Sequence, residues 1–362
     1  QLSCKVVGIT GSVGKTSTKE MIASVLEQRY KVLKTEGNFN NEIGLPLTIF
    51  KIRAKHEVAV LEMGISDFGE MHRLAAMARP DIGVITNIGL CHLENLGTRD
   101  GILQAKTEMF DHLQVDGTVI LNGDDDKLST KKEVNGKPVI FYGVGADSAF
   151  DIKKDIYATD IENHGLEGMC AKIHTPQGDF DAKIPIPGEH NVYNALAAIA
   201  AAKALGIQDA AIADGLLHFT GTDRRFEKKG ELNGITIIDD YAHHPQEIAA
   251  TLKAAHNYPH KKLWCVFQPH TYTRTKALFS QFVEELKLPD VTVLAEIYAA
   301  REQNDIGISS QDLAAKIPGA VYCSTLDQVA DQLAELARPG DLILTVGAGD
   351  IFRAGEKLLE RN

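Results

Sequence analysis

The chain has 362 residues, 44% of them hydrophobic and 24% charged, with a formal net charge of −11. Such a balance supports roughly two to three globular domains and excludes disorder, a collagen-like repeat and a small scaffold that needs staples. The negative charge argues against a protein that grips nucleic-acid backbone, although a few local amides and cations can still hold one phosphate. Cys4, Cys91, Cys170, Cys265 and Cys323 are widely spaced with no CxxC or CxxH pattern. Neither a disulfide framework nor a zinc knuckle is expected, and a reducing cytoplasm fits. Apolar runs stop well short of about 18 residues, so no membrane span is expected, and the opening has no secretory leader pattern.

In chain order, residues 4–9 are apolar and β-prone, residues 11–16 form a Gly-rich turn, and 18–28 carry Met21, Ile22, Val25 and Leu26 at helical spacing. Short apolar stretches at 58–61, 82–86, 119–121 and 139–142 read as buried strands, with helical patterns at 70–78 and 103–113 between them. The alternation predicts an α/β fold with a mainly parallel central sheet. Residues 151–187 differ. The stretches 157–163, 169–174 and 180–185 alternate in polarity between Gly and Pro, which predicts a small antiparallel appendage. An Ala-rich helix is expected over 191–205. A boundary is placed at Thr220–Thr222, giving domains 1–220 and 221–362. Beyond it the strand–helix rhythm restarts, with strands at 235–238, 263–267, 291–295 and 342–346 and helices at 245–255, 275–286, 310–317 and 326–337. That rhythm predicts a second, Rossmann-like α/β domain.

The strongest chemical signal is the turn after the first strand. Gly8 to Gly14 is one residue too long for the strict GxxxxGK[ST] pattern, but Gly11-Ser12-Val13-Gly14-Lys15-Thr16 is the shorter GxxGK[ST] form. Glycines let backbone amides curl toward phosphates, and the following helix adds its positive end. The lysine reaches β/γ oxygens and the threonine hydroxyl suits Mg²⁺. Glu62 ends the 58–61 strand, where an acidic ligand for nucleotide-bound Mg²⁺ is expected; a turn or helix cap is the plainer alternative. His92 follows the 82–86 strand, and Lys106 lies in a helical pattern where, taken alone, it reads as a surface lysine.

Several ordered stretches then resemble one family, the Mur ligases, ATP-dependent amide-forming enzymes of peptidoglycan precursor synthesis. They are GITGSVGKTST from Gly8, TEGNFNNEIGLP from Thr35, LEMG from Leu61, TNIGLCHLENLG from Thr86, AKTEM from Ala105, LNGDDD from Leu121, GEHNVYN from Gly188 and RRFE from Arg224. The first 220 residues look most like the member that adds D-alanyl-D-alanine to the UDP-MurNAc-tripeptide. Later, DDYAHHPQEIAATL from Asp239, FQPHTYTRT from Phe267 and GAGDI from Gly347 look more like the member that adds L-alanine to UDP-MurNAc. Departures from that member fall at Thr271, where arginine is usual, and around Ala300-Arg301-Glu302. Members also carry an N-terminal domain for the UDP-sugar end of the substrate, so the resemblance implies such a domain upstream of this sequence.

The resemblance implies a set of roles. Gly11, Ser12, Val13, Gly14, Lys15, Thr16 and Ser17 would bind ATP, with Thr16 on Mg²⁺. Glu62 and His92 would ligate a second Mg²⁺, and Lys106 matches a lysine that is carbamylated in several members, near that metal. Asn191 would touch adenine, Arg225 would reach the phosphates from the second domain, and Asp240 would lie near the ribose. His244 and Arg274 would contact the incoming amino acid. Catalysis would rest on Lys15, Glu62, His92, Lys106 and Arg225. The expected enzyme is a cytoplasmic ligase that activates a carboxylate as an acyl phosphate, nominally adding D-alanyl-D-alanine to UDP-MurNAc-tripeptide. A single amino acid such as L-alanine is the alternative, and folate polyglutamylation a more distant one. Outside this class stand a P-loop ATPase switch without ligase activity and a noncatalytic scaffold. Two other signals carry less. His243-His244-Pro245 lacks the partners of a metal site and reads as a substrate contact or a helix start. Asp124-Asp125-Asp126 lacks a calcium-loop spacing and reads as a solvated loop, with Asp125 or Asp126 near the nucleotide.

Overall fold

A computed structural model describes residues 4–91 and 93–361, which divide into two compact units, one running to Gly221 and the other from Thr222. The first unit opens with β1 (Lys5–Thr10), α1 (Lys15–Leu26), β2 (Val32–Lys34), α2 (Gly44–Ile49), β3 (Val58–Glu62) and α3 (Glu70–Ala78). Next come β4 (Ile82–Ile85), α4 (Leu93–Leu96), α5 (Arg99–Thr107), β5 (Thr118–Asn122), β6 (Glu133–Val134) and β7 (Lys137–Val144). The unit finishes with β8 (Ile156–Asn163), β9 (Met169–Thr175), β10 (Gly178–Ile184), α6 (Glu189–Ala204) and α7 (Asp209–Leu217).

The strand order β2-β3-β1-β4-β5-β7-β8 is parallel throughout, β9 and β10 continue the same sheet antiparallel, and β6 pairs with β7. Period-2 alternation explains why both faces are covered. Val7, Ile9 and Val60 face a core shared with Met21, Ile22 and Val25 of α1 and the alanines of α6. Ala59 and Leu61 face the other core, with Leu74 of α3 and Ile102 of α5. Small side chains at 195, 197, 198 and 200–202 let α6 pack close, which is why the Ala-rich stretch is buried along most of its length.

The helix expected over 103–113 begins earlier and ends sooner. Thr98, in the extended region, accepts the Gly101 N–H at 3.1 Å and starts α5 at Arg99, and Glu108–His112 tightens into a 3-10 turn.

The second unit contains β11 (Glu227–Leu232), β12 (Ile235–Asp240), α8 (Pro245–His256), β13 (Leu263–Phe267), α9 (Tyr272–Ala277) and α10 (Phe279–Glu285). It continues through β14 (Val291–Ala295), α11 (Ser310–Ala314), β15 (Val321–Cys323), α12 (Leu326–Leu336), β16 (Leu342–Val346) and α13 (Phe352–Leu359). Its sheet runs β11-β12-β16-β13-β14-β15, parallel except for the edge hairpin β11–β12, and carries a hydrophobic core on each face. That hairpin closes through Asn233-Gly234, both left-handed at φ 49° and 78°, the backbone of a two-residue turn matched to strand twist. The helix expected over 275–286 is two helices, broken at Leu278 (φ −108°, ψ 17°). In both units the parallel strands deliver their C-terminal ends, and the loops that follow, to one edge of the sheet, where α/β folds bind ligands. No helix among the described residues is long and apolar enough to cross a membrane.

Candidate active site

In the first unit the loop between β1 and α1 is held from beneath by the end of β4. Asn87 accepts the Val13 N–H on Oδ1 and returns its Nδ2 to the Val13 carbonyl, both at 2.9 Å, and Thr86 Oγ1 donates to the same carbonyl at 2.7 Å. Ser12 Oγ accepts the Gly89 N–H at 2.9 Å and the Cys91 thiol at 3.1 Å. Gly11 has φ 153°, and a Cβ there would lie 1.9 Å from Thr86 Oγ1. Gly14 is the N-cap of α1 at φ 81°, where a Cβ would lie 2.9 Å from Asn194 Oδ1. Both glycines are therefore required by space as well as by backbone conformation. The first-turn amides of α1 point outward with the helix dipole behind them, an anion site by construction.

Two ammonium groups converge on one carbonyl of this loop. Lys15 Nζ donates to Gly11 O at 2.9 Å and to Ser12 O at 3.2 Å; Lys106 Nζ donates to Gly11 O at 3.1 Å. Lys106 is only 2% exposed, which corrects its reading in isolation as a surface lysine: the buried face of α5 carries it under the loop. Burial, and then the charge of Lys15, pushes its amine down to about 7. Both lysines line a cavity of about 460 Å³ with Asn40, Asn41, Ile43, Gly64, Ser66 and Glu70.

Glu62 ends β3, in register beside Ile9 of β1, so parallel pairing alone brings it to the loop. It is 1% exposed; Oε1 accepts from Asn40 Nδ2 at 2.8 Å, its N–H donates to Thr35 Oγ1 at 3.0 Å, and Oε2 has no hydrogen-bond partner. An orphaned carboxylate oxygen is costly unless a cation completes it. A hard oxygen donor of this kind fits Mg²⁺. His92 lies outside the described residues.

The start of α6 reaches the same loop from the other side. Thr18 Oγ1 donates to Asn194 Oδ1 at 3.0 Å, Asn194 Nδ2 to Asn191 Oδ1 at 3.0 Å, and Asn191 Nδ2 to Pro187 O at 2.7 Å. The aspartates after β5 divide their work. Asp124 pairs with buried Lys154 at 2.5 Å and accepts from Tyr193 OH at 3.1 Å. Asp125 accepts N–H bonds from Ile88, Lys127 and Leu128, and Asp126 pairs with Arg99. Asp124 and Asp125 are therefore partly buried structural ties, whereas Asp126 is exposed, as a solvated loop predicts.

In the second unit the adjacent arginines have different surroundings. Arg224, at φ 58°, donates from Nε to Asp239 at 3.0 Å and from Nη1 and Nη2 to the carbonyls of Gly349 (2.8 Å) and Gly347 (2.5 Å). Arg225 lies with its guanidinium 5.2 Å from the Tyr241 ring centre and makes no side-chain hydrogen bond among the described residues. Asp240 accepts from the N–H groups of Phe226 and Ala242, both at 2.8 Å, and from Thr251 Oγ1 at 3.2 Å. Burial pushes its carboxyl up, against the charge of Arg225. His244 is the N-cap of α8, with Pro245 at the first helical position and Glu247 closing a capping box.

Arg274, expected from the sequence to contact the amino acid, belongs to a group at the ends of β13 and β14 whose other members, Gln268, His270 and Tyr298, the sequence reading did not single out. His270 packs against Tyr298 with ring centres 5.7 Å apart and lies 6.0 Å from the His243 ring. His270 Nδ1, Arg274 Nη1 and Gln268 Oε1 are all buried without hydrogen-bond partners. Burial, with the charge of Arg274, pushes His270 down to about 4. A neutral imidazole, a guanidinium and an amide oxygen together suit a small ligand that carries both a carboxylate and an ammonium.

A P-loop unit followed by a Rossmann-like unit defines a nucleotide-using α/β enzyme, and comparison with known proteins specifies which. The chain matches the family model for the Mur ligase middle domain over residues 9–202 and that for the Mur ligase, glutamate ligase domain over 224–349. It is 40% identical to the UDP-N-acetylmuramate–L-alanine ligase of Agathobacter rectalis over 364 aligned positions, covering 98% of this chain and 75% of that protein. A MurF crystal structure from Acinetobacter baumannii superposes with a TM-score of 0.83 at 28% identity, covering 99% of this chain and 77% of that one. MurF from Thermotoga maritima, solved in complex with ADP, gives 0.78 at 26% identity over 99% of this chain and 81% of that one. The chain belongs to the Mur ligase family and is an ATP-dependent ligase of peptidoglycan synthesis.

Proposed function

We propose that this enzyme joins a single amino acid, L-alanine, to the carboxylate of UDP-MurNAc in the cytoplasm, by way of an acyl phosphate. The observation that carries the ligase chemistry is the convergence of Lys15 and Lys106 on one loop and its cavity, with the half-satisfied Glu62 ending the strand paired beside that loop. The choice of L-alanine is supported by full-chain identity to L-alanine ligases, 40% for the Agathobacter rectalis protein and 38% for that of Lachnospira eligens. A second reading, D-alanyl-D-alanine added to the UDP-MurNAc-tripeptide, is favoured by the MurF structures that superpose on the whole chain.

In this reading the amides of Gly11 to Ser17 bind the ATP phosphates, Asn191 contacts adenine and Arg225 reaches the phosphates from the second unit. Thr16 would hold the Mg²⁺ that travels with ATP, and Glu62 and His92 would hold a second ion; when bound, these ions would neutralise charge on the transferring phosphoryl group. An acceptor carboxylate oxygen bonds to the γ-phosphorus, the bond to the β-γ bridging oxygen breaks, and ADP leaves. Lys15 turns from Gly11 O toward the oxygens on which charge accumulates. The amine nitrogen then bonds to the acyl carbon, inorganic phosphate departs, and the amine loses a proton. Arg274 holds the carboxylate of the incoming amino acid, with His244 beside it. Asp240 lies near the ribose, and its internal bonds also fix the Arg225 segment. Lys106 has an amine sufficiently neutral near pH 7 to add CO₂, which releases a proton and leaves a carbamate as a further anionic ligand.

A coupled ADP-release assay on the full-length natural protein tests both readings. UDP-MurNAc with L-alanine should raise turnover, and UDP-MurNAc-tripeptide with D-alanyl-D-alanine should not. The reverse result selects the second reading, and ATP turnover indifferent to every acid and amine would replace ligation with a switch.

A further inference from the structure

Lys19 lies one turn beyond Lys15 on α1, is fully buried, and enters none of the steps above. Burying a lysine is expensive unless its charge is used. Its Nζ has no hydrogen-bond partner among the described residues; it forms an ion pair with Glu20 Oε1 at 2.9 Å and stands 3.9 Å from Glu62 Oε2. The first pair is anchored from outside, because Lys34 Nζ holds the other Glu20 oxygen at 2.5 Å. The second separation is the informative one. At 3.9 Å an ammonium still attracts a buried carboxylate strongly, yet it is too far to donate a hydrogen bond. It balances the charge on Oε2 without occupying the lone pair, and that is the Glu62 oxygen left without a partner. Asn40 and Thr35 meanwhile fix the rest of the residue through Oε1 and the N–H.

We propose that Lys19 is the resident counter-cation of Glu62, a positioning residue that keeps the carboxylate aimed and open on one oxygen while weakening divalent-cation binding there by charge repulsion. This rests on the reading of Glu62 as a divalent-cation ligand. Lys19 then limits how tightly the ion is held between turnovers, and Glu20 is the group that holds Lys19 back from Glu62. A purely structural role, in which Lys19 serves only Glu20, would leave cation affinity untouched.

The test is Mn²⁺ binding to the nucleotide-free protein, read by electron paramagnetic resonance, with thermal melting alongside. Lys19→Met should bind Mn²⁺ about tenfold tighter than the native protein, the direction expected on removing a like charge from a buried site. Its melting temperature should also rise more on adding Mn²⁺. Lys19→Arg, which keeps the charge, should match the native affinity. In a Glu62→Gln background, Lys19→Met should bring no gain. Equal affinity for native protein and Lys19→Met overturns the inference, as does a gain that survives in Glu62→Gln. Undiminished Mn²⁺ binding by Glu62→Gln alone instead overturns the ligand reading of Glu62. If Lys19→Met does not fold, Lys19→Met with Glu20→Gln removes both charges of the anchoring pair. Tighter Mn²⁺ binding there upholds the proposal, and unchanged binding overturns it.

Discussion

The two units build their candidate sites from opposite materials. In the first, the loop is made of backbone and short side chains that satisfy one another: Asn87 with Val13, Ser12 with Gly89, and both lysines on Gly11 O. In the second, Gln268, His270 and Arg274 are brought together by separate strand and helix ends and retain unpaired polar atoms. Preformed donors at rest suit a phosphate chain that always arrives with the same geometry. Unpaired side chains suit a smaller ligand whose own groups complete them, because recognition is sharpest where the wrong ligand leaves buried groups unsatisfied. Damage to the first site should therefore disable the reaction, and damage to the second should alter which amine is used.

The largest effect should come from Lys15→Ala. Removing the one loop cation able to follow the transferring charge should cut ligation by about 100-fold or more, with the fold intact because Nζ binds only loop carbonyls. Steady-state ADP release with circular dichroism as a folding check decides it. Lys106→Ala comes next, with ligation reduced by roughly 100-fold and ATP binding preserved. Its pH dependence has a definite sign. Below about 7 the ammonium dominates and cannot add CO₂; above it the neutral amine can. Uptake of isotopically labelled bicarbonate, followed by NMR, should therefore rise between pH 6 and pH 8 and vanish in Lys106→Ala. Unchanged uptake in the variant would remove the carbamate from the mechanism. Arg274→Ala should be milder and different in kind. It should raise KM for the amine by roughly tenfold while KM for ATP stays put. An equal rise in both would erase the distinction between the two sites.

Legibility in sequence followed the same division. The loop, Glu62 and the antiparallel appendage could be read because each depends on a few neighbouring residues: a Gly spacing, a strand end, an alternation between turns. Burial of Lys106 could not, since it depends on which face of α5 turns inward once β1 and β4 are paired. Nor could the approach of Lys19 to Glu62, or the gathering of Gln268, His270 and Tyr298 around Arg274, because those partners lie many residues apart. The break at Leu278 hid inside a continuous helical pattern. One overlooked element did leave a local mark. The β11–β12 hairpin is announced by Asn233-Gly234 between strand-forming residues, the strongest short-range hairpin signal there is.

That turn supplies the smallest predicted effect. Asn233 sits at φ 49°, where asparagine is favoured over alanine, so Asn233→Ala should cost about 1 kcal/mol through backbone strain. The hairpin edges the second sheet, and its turn side chain belongs to none of the candidate sites. Local strain should therefore lower the stability of residues 222–362 and leave the first unit unaffected. Hydrogen exchange resolved by segment would show faster opening of β11 and β12 with unchanged protection in β1 and β3, and with KM for ATP unchanged. Loss of protection across both sheets would mean that the two units unfold as one cooperative body. The contrast between a self-satisfied loop and an unsatisfied side-chain group would then describe two chemistries on a single folding unit rather than two separable modules.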